Sequence, residues 1–206
     1  MTKRSRLLAL GAVLTLATAW ARAASGGEPP RQVITVRVDD YRAVPDAMLP
    51  RAKEDVSRIY RLAGVDIKWI DAPDTNPAAG VAIRIIIRRY SVSGPTGASA
   101  SVMGTSLGDA HDAGGSAFVF RDRVMKVARE RKQDAARLLG YAMAHEMGHL
   151  LLPYPAHSTT GIMRAEWDGD DLRHIGDGTM LFTPPQTTLI REKAAGCCDA
   201  GSKLAK

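Results

Sequence analysis

The run DAARLLGYAMAHEMGHLLL, residues 134–152, decides the reading of this chain. Asp134 suits a helix N-cap, and Pro153 and Pro155 stop the helix after Leu152. Between them the residues are apolar on nearly all sides, which predicts a buried helix rather than a surface one. Late in that helix stand His145, Glu146 and His149. Positions i and i+4 share a helical face, so His145 and His149 can point at a single ion. Glu146 projects about 100° further round, where it can reach a water beside the ion without ligating it. Three titratable groups crowded into one turn of an apolar helix are costly unless something pairs with them. A divalent cation removes that cost. Zinc held by neutral imidazoles at about 2.0–2.1 Å keeps an open position for water, whose pKa it lowers to about 7. A neighbouring carboxylate then takes the proton as the water attacks a carbonyl carbon.

A catalytic zinc needs a third protein ligand. Three residues downstream are candidates: His157, Glu166 and His174. His157 lies nearest, on the segment that turns as the helix ends. Glu166 would serve if a second long helix carried it, but Gly161 and Gly169 argue against such a helix. His174, among Asp170, Asp171 and Arg173, reads as part of a solvated loop.

Outward from the helix, alternating and β-branched residues predict strands at Gln32–Val38, Val65–Ile70, Val81–Tyr90 and Ala117–Phe120. Ala52, Val56, Ile59, Tyr60 and Ala63 keep helical spacing, so Pro50–Ala63 is a helix entered at Pro50 and left at Gly64. Residues 91–116 are rich in Gly, Ser and Ala and read as irregular, with a possible edge strand at Ala98–Met103. Val124–Arg131 suits a helical turn. Thr183-Pro184-Pro185 opens a last helix over Gln186–Ala195.

The chain has 206 residues, with 28 Lys+Arg against 22 Asp+Glu and a net charge of +6. Residues 1–23 read as an export signal: Lys3-Arg4-Ser5-Arg6 is a basic head, Leu7–Trp20 is uncharged and apolar, and Ala21-Arg22-Ala23 suits cleavage. The apolar run falls short of the ~20 residues that cross a bilayer. Without this segment four basic residues are lost and the balance falls to +2, which does not suit a coat for nucleic acid. Residues 24–30 then form a Gly/Pro linker and 31–206 a single domain. No other apolar segment reaches membrane length, so an exported monomer without stable membrane insertion is expected, whether secreted or periplasmic. Cys197 and Cys198 are adjacent near the C-terminus and define no disulfide framework.

His145-Glu146-Met147-Gly148-His149, followed by His157-Ser158 and by Gly161-Ile162-Met163, resembles the metzincin metalloproteases, most of all their matrixin branch. The resemblance implies an α+β fold: a small twisted mixed sheet, a long helix, a buried zinc helix and an irregular C-terminal part ending in a helix. It implies that His145, His149 and His157 ligate one catalytic zinc, that Glu146 is the general base, and that Met163 lies in a tight turn under the metal. The cluster Asp109-Ala110-His111-Asp112 with Gly114-Gly115 is similar to matrixin loops that hold accessory calcium or zinc, although a solvated polar loop would carry the same residues. Two features depart from the family. Seven residues separate His149 from His157 where the family has five, and Leu152 stands where the family places a glycine, so the turn must run through Pro153-Tyr154-Pro155. No tyrosine follows Met163 closely.

The activity expected from these residues is hydrolysis of a peptide or protein substrate by an exported zinc endopeptidase. The edge strand would pair with an extended substrate, and Trp167 and Tyr154 could line a side-chain pocket. A zinc amidase acting on cell-wall peptides would carry the same catalytic turn. A non-catalytic zinc-stabilised surface module would instead need a fourth protein ligand.

Overall fold

β-Branched residues at alternate positions set the sheet. In β1 (Gln32–Asp39) Ile34 and Val36 are fully buried, and the strand lies at the interior of a five-stranded sheet. The other strands are β2 (Val65–Ile70), β3 (Ala82–Arg88), β4 (Gly104–Leu107) and β5 (Gly114–Phe120), in the spatial order β2-β1-β3-β5-β4. The first three pairings are parallel. Only β4 runs antiparallel, against β5, with Gly104 opposite Val119 and Leu107 opposite Ser116. Parallel strands buried on both faces read as continuous apolar runs, and β3 carries one at Ile85-Ile86-Ile87.

The computed structural model describes residues 31–41, 43–70, 81–89, 103–107 and 114–202, with side chains as far as residue 196. The proposed signal and linker, most of the segment Ala98–Met103, the Asp109–Asp112 cluster and the side chains of Cys197 and Cys198 lie outside the described residues.

Five helices accompany the sheet among the described residues: α1 (Met48–Leu62), α2 (Arg121–Arg131), α3 (Ala135–Leu151), α4 (Gly169–Asp177) and α5 (Pro184–Ser202). The fold is α+β, as expected. α3 is its centre. Fourteen of its 17 residues are buried, and Asp134 caps it by accepting from the backbone N–H groups of Ala136 and Arg137. α1 presses against α3 where Gly140 approaches Ala52, since a Cβ on Gly140 would come 2.8 Å from the Ala52 carbonyl oxygen. The buried Tyr60 hydroxyl donates to the Ala144 carbonyl, 3.1 Å away, and ties the same two helices at the residue just before His145.

Three expectations need correction. The segment 91–116 is not wholly irregular: β4 occupies Gly104–Leu107, and β5 begins at Gly114, three residues before the expected start. Val124–Arg131 is the larger part of a full helix, α2, which buries only Val124 and Ala128 and so shows little apolar pattern. The stretch around His174 is helix α4, not a loop. Asp168 and Asp171 form a reciprocal capping box at its start, and Gly178, in the left-handed conformation, ends it.

Candidate metal centre

α3 delivers His145, Glu146 and His149 to one cleft, and the chain beyond it brings His157 back to the same place. After Leu151 the chain turns through Pro153, Tyr154 and Pro155, with a cis Tyr154–Pro155 bond. The His145 and His149 rings lie 4.9 Å apart, His149 and His157 4.7 Å, and His145 and His157 5.5 Å, centroid to centroid. One ring nitrogen from each of the three lies within 4.8 Å of the others. Of the three candidates for a third donor, His157 joins the pair. Glu166 lines the cleft but stands outside the cluster. His174 is exposed on α4.

Hydrogen bonding fixes which nitrogen of His145 faces the cleft. Its Nδ1 lies 2.7 Å from the Ile162 carbonyl oxygen. A carbonyl can only accept, so Nδ1 carries the proton and Nε2 keeps its lone pair. The same carbonyl accepts from Trp167 Nε1 at 3.1 Å, and the indole meets the His145 ring edge-on. Two donors on one carbonyl lock the ring.

The donor set fits zinc. His145 Nε2 and His149 Nε2 are 3.2 Å apart, and two ligands of a tetrahedral ion at ~2.0–2.1 Å stand about 3.3 Å apart. Burial lowers the pKa of His145 and of His149 to about 4, so both rings are neutral and free to ligate. Burial raises Glu146 to about 8, and its Oε2 has no hydrogen-bond partner among the described residues. A dication at the three imidazoles would restore the carboxylate by direct attraction. Ligand chemistry and the orphaned oxygen thus point to the same ion.

The cleft has a volume of about 280 Å³. α3 forms its floor with Ala142, His145, Glu146 and His149. One wall is Met103 and the start of β4; the other is the connection Arg164-Ala165-Glu166-Trp167. Trp167 lines it as expected. Tyr154 does not: it is 96% exposed on the turn leaving α3. Met163 is fully buried against α3, and its sulfur occupies the space that a side chain on Gly148 would need. The Gly161–Met163 turn is held by Ile162 N–H donating to Leu181 O at 3.1 Å and Ser158 N–H donating to Met163 O at 2.9 Å. Arg164 then pairs with Asp168 and Asp171, securing the turn to the start of α4.

Sequence reasoning missed two supports of the site, Gly104 and the Ile162 carbonyl. A glycine in a Ser/Gly-rich stretch carries no signal of its own, and a backbone oxygen carries none at all.

No protein-family model matches the chain, and no curated protein matches it in sequence. Its fold is similar to that of a zinc-dependent peptidase from Methanocorpusculum labreanum strain Z. The two are 16% identical with a TM-score of 0.53, and the match covers 76% of this chain and 99% of that one. A weaker likeness, at 12% identity and a TM-score of 0.47, is to metalloproteinase-II from Bacteroides fragilis, covering 82% of this chain and 55% of that one. The first of these likenesses establishes the fold, an α+β domain like that of the Methanocorpusculum peptidase; the three histidines that could hold a metal are a feature of this chain's own geometry.

Proposed function

We propose that this protein is an exported zinc-dependent endopeptidase of metzincin type, nearest the matrixin branch, with one catalytic ion held by His145, His149 and His157. The observation that carries the proposal is the convergence of three imidazole nitrogens in an open cleft that a buried carboxylate also lines, one whose Oε2 has no hydrogen-bond partner among the described residues. The name of the Methanocorpusculum protein supports it, and the basic, apolar and small-residue series of residues 1–23 supports export. Zinc in this position supplies a Lewis acid that acidifies water and polarises a scissile carbonyl.

The chain's own residues do the rest. Glu146, on the floor of the cleft, accepts the proton of the attacking water and returns it to the leaving amine. His145, with Nδ1 fixed on the Ile162 carbonyl, presents its Nε2 lone pair without a change of tautomer. Met163 fills the space beneath the helix. At the outer edge of the sheet β4 has no further strand beside it among the described residues, and an extended peptide pairing there would lie across the floor toward Glu146.

Among the described residues the donor cluster has three members and no fourth, which suits an open catalytic site better than a closed structural one. Glu146→Ala should retain stoichiometric zinc and lose cleavage of a peptide library by about 10²–10⁴-fold. His157→Ala should lose most of its zinc, whereas Glu166→Ala should keep it. Undiminished cleavage by Glu146→Ala would remove the general base. Cleavage confined to cell-wall amides in a substrate panel would redirect the activity to an amidase.

A further inference from the structure

The seven-residue span from His149 to His157 lacks the glycine turn, so the third ligand needs another restraint. His157 is exposed, on a segment with little buried side-chain area around it: Pro153, Tyr154 and Pro155 are exposed and Ala156 only half-buried. A residue far along the chain supplies the restraint. Gln186, in the first turn of α5, is 8% exposed. Its Nε2 donates to Ser158 Oγ at 3.0 Å and to the Ala156 carbonyl at 3.5 Å, the two neighbours of His157. Its Oε1 accepts from the Thr183 backbone N–H at 3.0 Å. That last bond fixes the amide's orientation, because Thr183 N–H can only donate and the Ala156 carbonyl can only accept. Thr183-Pro184-Pro185-Gln186 is half of a capping box, so the contact that starts α5 also aims the amide nitrogen at the loop.

We infer that Gln186 is a positioning residue for zinc, holding His157 in place by clamping the backbone on one side of it and the Ser158 side chain on the other. The inference rests on the zinc site proposed above. Partners that orient metal ligands typically alter affinity by 10–100-fold when removed. Here the effect must pass through His157, which separates it from a general loss of packing.

The test is zinc affinity, measured by competition with a chromophoric chelator at neutral pH. Gln186→Leu should bind zinc roughly 10–100-fold more weakly than the wild-type protein, with unchanged far-UV circular dichroism. In a His157→Ala background the same substitution should change the remaining affinity less than about twofold, since the ligand it positions is gone. Unchanged affinity in Gln186→Leu, or equal weakening in both backgrounds, overturns the assignment. Should Gln186→Leu not fold, Gln186→Glu carries the same expectation: it keeps an acceptor for Thr183 but loses the donor to Ala156. A wild-type protein that takes up no zinc overturns both this inference and the proposed function. Zinc-loaded, cleaving wild type beside an unaffected Gln186→Leu overturns this inference alone.

Discussion

Gly104 on β4 lies so close to Glu146 on α3 that a methyl group at position 104 would stand 2.6 Å from both Cγ and Oε1 of the glutamate. It would also stand 2.6 Å from the Phe118 carbonyl oxygen on the neighbouring strand, so the clash is with both the site and the sheet. Gly104→Ala must therefore displace the Glu146 carboxylate or the strand itself. Peptide hydrolysis is expected to fall on the order of 100-fold, as for other misplacements of about 1 Å at a reacting centre. Stability should drop by about 1–3 kcal/mol through overpacking, while zinc content by elemental analysis stays at the wild-type level. Full activity in this variant would mean that the carboxylate does not act from where it sits.

Gly161 has a φ of +77°, and a Cβ there would come 2.5 Å from the Leu181 carbonyl. Gly161→Ala should cost about 1–3 kcal/mol from the left-handed backbone alone, read from urea unfolding. Because the next residue supplies the carbonyl that orients His145, zinc affinity should fall as well. A loss of stability with zinc affinity intact would separate the turn from the ligand.

Asp168 is held at about 2, below the usual carboxylate value, first by the Asp171 backbone N–H and then by the Arg164 guanidinium. A lowered folded pKa contributes stability that is fully present above about pH 4 and is lost as the pH falls toward 2. Wild type should thus exceed Asp168→Ala in stability by a constant margin near neutrality. The margin should shrink between about pH 4 and pH 2, as followed by denaturant midpoints across that range. A margin independent of pH would assign the cap's contribution to something other than its charge.

If substrate pairs with the outer edge of β4, as proposed, a further outcome is measurable. Methylating alternate backbone nitrogens of a good peptide substrate removes donors to the strand. One alternation should raise KM strongly, and the other should leave it nearly unchanged. Equal effects from both would place the peptide elsewhere in the cleft.

Much of this was legible because it depends on local pattern. The β2 limits follow from a short alternating run between Gly64 and residue 71, and α3 from a capping aspartate, an apolar body and two prolines. The histidine pair is a matter of helical pitch. What escaped was tertiary or masked by charge. α4 hides its apolar pair Leu172 and Ile175 among Asp170, Asp171, Arg173 and Asp177, and its signal was the capping box at Asp168 and Asp171. β4 is four residues long with one buried residue, Gly104, too little for a periodicity to register. Gln186 was readable as the start of a helix but not as a partner of a loop 28 residues earlier.

The two walls of the cleft are built differently from its floor. The floor belongs to a helix sealed in the core, where Ala142, Met143 and Met147 are essentially inaccessible to water. Thr105, Ala165 and Glu166, on the walls, are exposed. Exchanging such surface residues usually shifts folding energy by no more than about 0.5 kcal/mol. On the proposed function, selectivity can therefore drift, in nature or at an engineer's bench, through rim residues alone, while the machinery beneath is inherited unchanged.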